Sequence, residues 1–323
     1  MGKLKLGTAY RVCDACSTPL APLGSERAAA DALLCDACMG TYRRLVAEVT
    51  RPVLRWHGGK FLLAPWVISH FPTHRIYVEP FGGAASVLLQ KPRSYGEVYN
   101  DLNGDVVNLF RVLRDPEMAL TLASMLRLTP FSRAEFRLSY VPADCQVERA
   151  RRLVVRCFQG FGSAAHNAKH ATGFRANSHR SGTTSAQDWA HYPDALPAIV
   201  ARLQGVVIEH RPASEVIAQH DTPDTLFYCD PPYVHDTRKQ RQQANYGPLE
   251  MTDADHEALA TQLHGVKGMV VLSGYDCDLY ARLFPGWDKR TRQAFADGAQ
   301  PRTEVLWLNP AAQARTKEQR LFS

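Results

Sequence analysis

A carboxylate followed by two prolines and an aromatic side chain is the most distinctive chemical feature of the sequence. The stretch TLFYCDPPYV, residues 225–234, is an apolar run that ends in Asp230, Pro231, Pro232 and Tyr233. Each proline fixes its own φ, biases the preceding residue towards extended backbone and offers no N–H. An exocyclic amine on a planar ring matches such acceptors, because it brings two N–H donors and a face to stack. A rigid strand exit with a buried tyrosine is an equally weighted alternative.

The thiol that precedes this acid is a second candidate reactive group. Cys229 lies on the apolar run itself, where a cysteine is more often a small core residue than a nucleophile. Three other cysteines also lack a neighbouring base or second cysteine in the sequence: Cys145, Cys157 and Cys277. We expect all four to be buried or partly buried packing residues, which leaves Asp230 as the reactive group.

Two further acids follow apolar, strand-like runs. Glu79 opens the stretch EPFGG, whose glycines allow the backbone to approach a ligand closely. Asp101 follows 22 residues later, close to the offset at which an acid accepts hydrogen bonds from ribose hydroxyls. The two acids could instead cap a helix and form an Asx turn. Together the positions indicate a ligand that contains adenosine.

Four cysteines near the N-terminus have the spacing of metal ligands. They form two C-x2-C pairs separated by 18 residues: Cys13, Cys16, Cys35 and Cys38. Two such turns complete a tetrahedral four-thiolate shell suited to Zn²⁺, with no position left open for catalysis. Redox-active CxxC motifs are the alternative. We predict a structural zinc in a module of residues 1–49, whose small core a metal would stabilise.

The elements that position the acids alternate between strand and helix patterns. Strand-like runs precede Glu79, Asp101 and Asp230, and the alternation recurs as far as the strand TEVLWLNP, residues 303–310. This pattern predicts an α/β fold, with a mostly parallel sheet and helices on both faces. Ligands bind beyond the carboxyl ends of the strands in such sheets, where all three acids are expected to lie.

The alternation lapses between residues 116 and 203. Residues 127–180 contain nine arginines and one lysine against three acids, an excess larger than the net charge of +6 of the whole chain. Such a distribution is typical of proteins with a polyanionic partner, so we interpret residues 116–203 as an inserted recognition region. A solvated basic surface is the alternative for the candidate phosphate contacts. These candidates are Arg175, Arg180, Arg238, Lys239 and Arg241.

The apolar residues occur in short runs. None approaches the roughly 20 residues that span a membrane, and the N-terminal residues lack the apolar core of a signal peptide. We expect a cytoplasmic protein with no membrane association.

Four motifs in chain order carry a family resemblance. They are RWHGGK, YVEPFGGAASVLL, NDLNGDVVNLF and YCDPPY, which begin at residues 55, 77, 100 and 228. Over residues 51–310 the sequence resembles the Dam-type DNA adenine-N6 methyltransferases, including phage and prophage members. The resemblance implies a Rossmann-like S-adenosylmethionine-dependent methyltransferase fold with an inserted target-recognition subdomain. The N-terminal zinc module lies outside it.

The resemblance also implies roles for individual residues. The catalytic tetrad is matched by Asp230, Pro231, Pro232 and Tyr233. The cofactor-contacting positions are matched by Trp56, Lys60, Glu79, Phe81, Gly83 and Asp101, together with Asp230. Hydrogen bonds from the adenine amine to Asp230 and the Pro231 carbonyl would assist attack by the nitrogen, and a base flipped from the duplex would stack on Tyr233.

We therefore predict an enzyme that transfers a methyl group from S-adenosylmethionine to the N6 amine of a flipped adenine in double-stranded DNA. The alternatives are a methyltransferase acting on cytosine N4 or on an RNA amine, and a non-catalytic zinc-containing DNA-binding protein. The methyltransferase domain would span residues 50–323, with residues 116–203 inserted. We expect a monomer, and no prediction follows for a partner restriction enzyme.

Overall fold

The structure is a computed structural model that describes residues 10–12, 19–22, 48–162, 172–176, 182–234, 249–296 and 300–322. Two short N-terminal strands, β1 (Tyr10–Val12) and β2 (Pro19–Pro22), pair antiparallel. The four predicted zinc ligands Cys13, Cys16, Cys35 and Cys38 lie outside the described residues.

Seven further strands form one central sheet. They are β3 (Ile76–Glu79), β4 (Gly96–Asn100), β5 (Val206–Glu209), β6 (Thr225–Cys229), β7 (Met269–Tyr275), β8 (Asp288–Ala296) and β9 (Gln300–Leu308). The α-helices of the described residues are α1 (Ala64–Ile68), α2 (Gly104–Arg114), α3 (Pro116–Leu128), α4 (Arg133–Leu138), α5 (Gln146–Gln159), α6 (Ser185–Ala190), α7 (Leu196–Leu203), α8 (Ala213–His220), α9 (Asp253–Gly265), α10 (Asp278–Leu283) and α11 (Pro310–Phe322). Within these residues, no helix combines the length and apolar character of a membrane span.

The order of the strands places a crevice at the centre of the sheet. The order is β5-β4-β3-β6-β7-β9-β8. The first five strands are parallel to their neighbours, whereas β9 runs antiparallel to both β7 and β8. The predicted mostly parallel sheet is therefore confirmed. Because the strand order reverses direction between β3 and β6, a ligand crevice is expected at their carboxyl ends.

Side chains of alternate strand residues pack into two apolar layers, one on each face of the sheet. Tyr77 of β3 and Tyr228 of β6 pack in the layer covered by α2, α5 and α7. Val78 and Phe227, the adjacent residues, pack in the layer covered by α8, α9 and α10. This alternation is the consequence of the two-residue repeat of a strand, and it confirms helices on both faces.

The segment of residues 116–203 contains helices and no strand in its described part, so the predicted lapse in alternation is confirmed. Its apolar side chains share a core with the sheet: Leu122, Leu153, Trp189 and Ile199 belong to the same buried cluster as Tyr77. The segment is therefore packed as part of the first helical layer.

Much of the arginine excess in this segment is neutralised internally. Arg151, buried on α5, donates to Glu148 and Glu135 at 2.7 Å each. Arg156 on the same helix donates to Asp105 at 3.1 Å. These arginines join helices to one another, and so they are not available to a polyanion.

Two local features differ from the sequence patterns. The alternation of strand and helix patterns predicts a helix in the apolar run after the glycines at residues 82–83, but residues 84–91 form turns and a bend. Ala85 has φ of 51°, outside the helical region, which interrupts regular helix geometry. Strand β8 was not predicted, because its sequence DKRTRQAFA is polar over most of its length.

Candidate active site

A cleft opens at the carboxyl ends of β3 and β6, where the strand order reverses. Its atom-free space amounts to about 910 Å³, a volume that includes open solvent at its mouth. The predicted residues that line it are Trp56, Lys60, Glu79, Phe81, Gly83, Asp101, Asp230 and Pro232. Pro231 is buried directly behind this wall. Four motifs separated by up to 170 residues therefore converge on one concave site, as expected for this sheet topology.

The glycine loop after β3 is shaped by close approach of aromatic side chains. A Cβ on Gly82 would lie 2.2 Å from Cε2 of Tyr99, which excludes any larger residue. Gly83 has φ of +47°, and a Cβ there would lie 2.9 Å from the indole nitrogen of Trp56. The loop backbone can thus line the cleft closely, which is the physical reason for glycine at both positions.

Polar side chains at the end of β4 hold this loop in place. The Asp101 carboxylate accepts the backbone N–H of Gly83 at 2.8 Å and that of Asn103 at 2.7 Å. Asn100 donates to the Pro80 carbonyl at 2.9 Å. Burial raises the pKa of Asp101, while the two N–H groups oppose the rise. The Asx turn considered as an alternative is present, and the binding of ribose hydroxyls by Asp101 stays a prediction.

A buried ion pair fixes the catalytic candidate. Lys60 Nζ lies 3.0 Å from Asp230 Oδ2 and donates to the Gly58 carbonyl at 2.7 Å. Burial alone would lower the pKa of Lys60, but the carboxylates of Asp230 and Glu304 outweigh it and raise the pKa. Burial raises the pKa of Asp230, although Lys60 and, after it, the nearby hydroxyls of Tyr233 and Ser273 oppose the rise. The second oxygen, Oδ1, is buried and has no hydrogen-bond partner among the described residues, so it can accept one from a ligand.

Glu79 adds a second buried carboxylate to the cleft. It is 2% exposed, and its Oε2 also has no hydrogen-bond partner in the described part of the chain. Burial, together with the nearby charge of Asp230, raises its pKa well above the ordinary glutamate value. The cleft therefore carries more acids than bases, which favours a ligand with positive charge or N–H donors.

The Tyr233 hydroxyl makes polar contacts with two side chains that the sequence analysis did not include in the site. Its oxygen lies 3.0 Å from Glu304 Oε2 and 3.1 Å from Ser273 Oγ. Its ring meets the Tyr275 ring edge-on, with centroids 4.6 Å apart, and Lys60 Nζ lies 4.7 Å from its centroid. Ser273 reaches the site because β7 pairs with β6, and Glu304 reaches it because β9 pairs with β7. No local pattern in the sequence indicates the pairing of β9 with β7.

The cysteines outside the CxxC pairs were predicted to be packing residues. Cys229 and Cys157 are fully buried, and burial raises the pKa of both thiols. Cys277 is partly buried, but Cys145 is exposed at the residue that precedes α5, so the prediction was wrong there. A buried thiol with a raised pKa is a poor nucleophile, which supports Asp230 as the reactive group.

Of the candidate phosphate contacts, Arg175 is described by the structure. It is half-buried, and its backbone N–H donates to the Gln159 carbonyl at 2.9 Å. Arg180, Arg238, Lys239 and Arg241 lie outside the described residues. Among the described residues, no group of three or more His, Cys, Asp or Glu side chains is arranged to hold a metal ion.

Comparison with known proteins agrees with the geometry. The family model described as D12 class N6 adenine-specific DNA methyltransferase matches residues 56–291, more than two thirds of the chain. A DNA adenine methylase from Vibrio cholerae is 26% identical over 192 residues, which cover 57% of this chain and 65% of that protein. The chain thus spans just under two thirds of the length of this relative.

Two further relatives cover different shares of the chain. A DNA adenine methylase from Haemophilus influenzae is 23% identical over 253 residues, 73% of this chain and 83% of that protein. A DNA N-6-adenine-methyltransferase from Escherichia phage P1 is 33% identical over 79 residues, 24% of this chain and 10% of that protein. With the family model covering most of the cleft-forming sheet, the chain belongs to the D12 class N6 adenine-specific DNA methyltransferases.

Proposed function

We propose that the protein transfers a methyl group from S-adenosylmethionine to the N6 amine of adenine in double-stranded DNA, acting as a cytoplasmic monomer. The observation that carries the proposal is the divided role of the Asp230 carboxylate: Lys60 holds Oδ2 at 3.0 Å, and Oδ1 remains buried without a partner among the described residues. A carboxylate held in this way is ready to accept one N–H of an exocyclic amine.

The cleft fits a cofactor with a charged amino acid end and a nucleoside end. Glu79 Oε2 and Asp230 Oδ1, both buried without partners in the described part of the chain, suit cationic or N–H groups. Gly83 and Trp56 both line the cleft, and the Trp56 indole packs closely on the glycine backbone. When bound, S-adenosylmethionine supplies the methyl group as the substituent of a sulfonium. We propose that Trp56, Lys60, Glu79, Phe81, Gly83, Asp101 and Asp230 form its binding site.

The acceptor oxygens at Asp230 and Pro231 would activate the amine. The lone pair of an adenine amine is delocalised into the ring, which makes the nitrogen a poor nucleophile. Hydrogen bonds from its two N–H groups to Asp230 Oδ1 and the Pro231 carbonyl would favour a more tetrahedral nitrogen. The Asp230 carboxylate, whose pKa burial raises, is also suited to take up the proton that the amine loses.

The base must leave the duplex before it reaches these acceptors. An adenine inside the stack does not expose its amine to a cleft, so enzymes of this chemistry flip the nucleotide into a pocket. Tyr233 is the candidate stacking partner, since its hydroxyl is held by Glu304 and Ser273. A fixed ring loses little further freedom when the base stacks on it.

Nucleoside analysis tests the proposal directly. Duplex DNA incubated with the full-length protein and S-adenosylmethionine is digested and analysed by mass spectrometry. We expect N6-methyladenine, its loss in Asp230→Ala, and its retention in Cys229→Ala. Binding of S-adenosylmethionine, measured by calorimetry, should largely persist in Asp230→Ala. N4-methylcytosine, methylation of RNA alone, or activity in Asp230→Ala would overturn the proposal.

We also propose a structural zinc at the N-terminus. The support is the C-x2-C spacing of Cys13, Cys16, Cys35 and Cys38, since a closed four-thiolate shell binds Zn²⁺ tightly. Metal analysis of the full-length protein should give one zinc per chain, and Cys35→Ser with Cys38→Ser should lose it. A protein without zinc whose cysteines are all reduced would contradict the proposal.

A further inference from the structure

Strands β8 and β9 extend beyond the rest of the sheet on the side of the active site. The pairing of β7 with β9 ends at Tyr275 opposite Glu304, whereas β8 and β9 continue to pair as far as Ala296 opposite Gln300. Residues 293–296 and 300–303, here called the β8–β9 arm, thus project past the end of β7. Four residues of strand correspond to about 13 Å.

One face of this arm is continuous with the active site. Residues directly opposite each other in neighbouring strands share a face, and Glu304 is opposite both Tyr275 and Arg292. Glu304 accepts from Tyr233, so Arg292 lies on the face that holds the catalytic tyrosine. The Arg302 guanidinium lies 5.1 Å from the centroid of the Tyr275 ring, which itself packs on Tyr233.

The charges of β8 and β9 are unevenly balanced along their length. At the start of β8, Lys289 pairs with Asp276 and Arg290 with Asp288, each at 2.6 Å. Arg292 and Arg302, which are nearer to the arm's end, have no ion pair among the described residues. Arg292 is exposed and Arg302 is half-buried. The positive charge that remains available therefore lies beside the active site.

We propose that the β8–β9 arm, together with Arg292 at its base, is a DNA-contacting element, in which Arg292 and Arg302 bind backbone phosphates that flank the nucleotide entering the active site. The inference rests on the proposed function. A two-stranded ribbon fits along a groove of duplex DNA, and guanidinium groups bind phosphate oxygens with paired hydrogen bonds. An extruded base leaves its own and neighbouring phosphates near the cleft mouth.

The salt dependence of DNA affinity measures phosphate contacts. Each contact contributes about 0.9 to the slope of log K against log salt concentration. Relative to 1 M salt, this slope corresponds to an affinity gain of about eightfold at 0.1 M salt. We expect Arg292→Ala to lower the slope by about 0.9 and to weaken binding about eightfold, irrespective of DNA sequence. Arg292→Lys should retain most of the slope. The experiment uses the full-length protein and a duplex oligonucleotide in fluorescence anisotropy.

A matched control removes one arginine near the amino ends of the parallel strands, opposite to the cleft. Arg315 pairs with Asp224, which precedes β6 and so lies at its amino end, away from the cleft. Arg315→Ala makes the same change in net charge and should leave the slope unchanged. Equal losses in Arg292→Ala and Arg315→Ala would show a general charge effect and overturn the proposal.

Arg302 needs a second readout, because it also contacts Tyr275. If Arg302 only positions Tyr275, Arg302→Ala will lower the methylation rate and leave the salt slope unchanged, which overturns its phosphate role. The expected result is a lower slope in Arg302→Ala and recovery in Arg302→Lys. If the salt slope is unchanged in both Ala variants and the protein still methylates DNA, the phosphate-binding role of the β8–β9 arm is refuted and the proposed function stands. A protein that methylates no DNA refutes the proposed function.

Discussion

The contact between Tyr233 and Glu304 allows a quantitative test of how the active site is held. Glu304 is 7% exposed, and its Oε2 accepts the Tyr233 hydroxyl at 3.0 Å. A hydrogen bond to a charged group contributes about 1.5–3 kcal/mol net. If this bond keeps the Tyr233 ring in position for the base, Glu304→Ala should lower kcat/KM for DNA by about 10- to 150-fold. Affinity for S-adenosylmethionine should change little, because Glu304 does not line the cofactor cleft.

A double-mutant cycle separates this bond from other effects of the substitution. Tyr233→Phe removes the hydroxyl and keeps the ring, so Glu304→Ala in that background can no longer break the bond. We expect a coupling energy of about 1.5–3 kcal/mol in kcat/KM from steady-state methylation of a duplex oligonucleotide. Glu257→Ala is the matched control, since it removes the same side chain from an exposed position on α9, where it pairs with Arg282.

Two outcomes would refute this reasoning. Additive effects of Glu304→Ala and Tyr233→Phe would show that the contact seen in the structure does not act in catalysis. A wild-type kcat/KM in Glu304→Ala would show that the ring is positioned by other neighbours, such as Tyr275, whose ring lies 4.6 Å away.

Three further substitutions test separate parts of the structure. Gly82→Ala would place a Cβ 2.2 Å from the Tyr99 ring, so the loop must move. Calorimetry should then show an affinity for S-adenosylmethionine that is at least about tenfold weaker. Gly265→Ala is the control, because its Cβ would meet no atom within 4 Å, and it should bind S-adenosylmethionine normally. The pKa of Glu79 is higher in the folded protein than in the unfolded chain, where it has the ordinary glutamate value. The free energy of unfolding should therefore fall as the pH rises from the ordinary glutamate pKa towards the raised one. Glu79→Gln should flatten this dependence and be about 1–3 kcal/mol more stable at pH 8 in urea unfolding without cofactor; parallel pH curves would contradict it. Arg151→Ala should lower the free energy of unfolding by about 1.5–3 kcal/mol, because it removes the partly buried ion pairs with Glu135 and Glu148, and should leave the salt slope of DNA binding unchanged.

The parts of the site that are local in sequence could be predicted from the sequence. Glu79, Asp101 and Asp230 each follow an apolar strand, and parallel strands bring their carboxyl ends to one edge of the sheet. The convergence of the motifs on one cleft follows from that geometry. The glycines at residues 82–83 were likewise placed correctly from the local turn pattern, although the requirement for them comes from the Tyr99 and Trp56 rings, which lie close to where a Cβ would stand.

The contributions of β8 and β9 could not be predicted in the same way. Glu304 stands at the polar start of an apolar strand, and its place beside Tyr233 depends on antiparallel pairing between residues far apart in the chain. Strand β8 is too polar to show a strand pattern, and it exists because β9 offers it a partner. The arginine excess of residues 127–180 does not by itself locate DNA contacts, because a count of charges does not reveal which of them are paired within the fold.

The charge of the cleft joins these observations into one physical account. Asp230, Glu304 and Glu79 lie in or beside a poorly solvated site, and Lys60 is the ammonium that two of them share. Burial of carboxylates without enough positive charge beside them is unfavourable. In the free protein the site therefore favours the binding of protons or cations, which neutralise this charge. In the proposed reaction, a sulfonium ligand and the N–H groups of an amine would supply what the site lacks. The charge of Lys60 opposes the rise in the pKa of Asp230, which favours the carboxylate form that accepts a hydrogen bond. Under the proposed function, the reactivity of Asp230 would be a property of this charge network, and the rigid Pro-Pro backbone would hold the acid where the network acts on it.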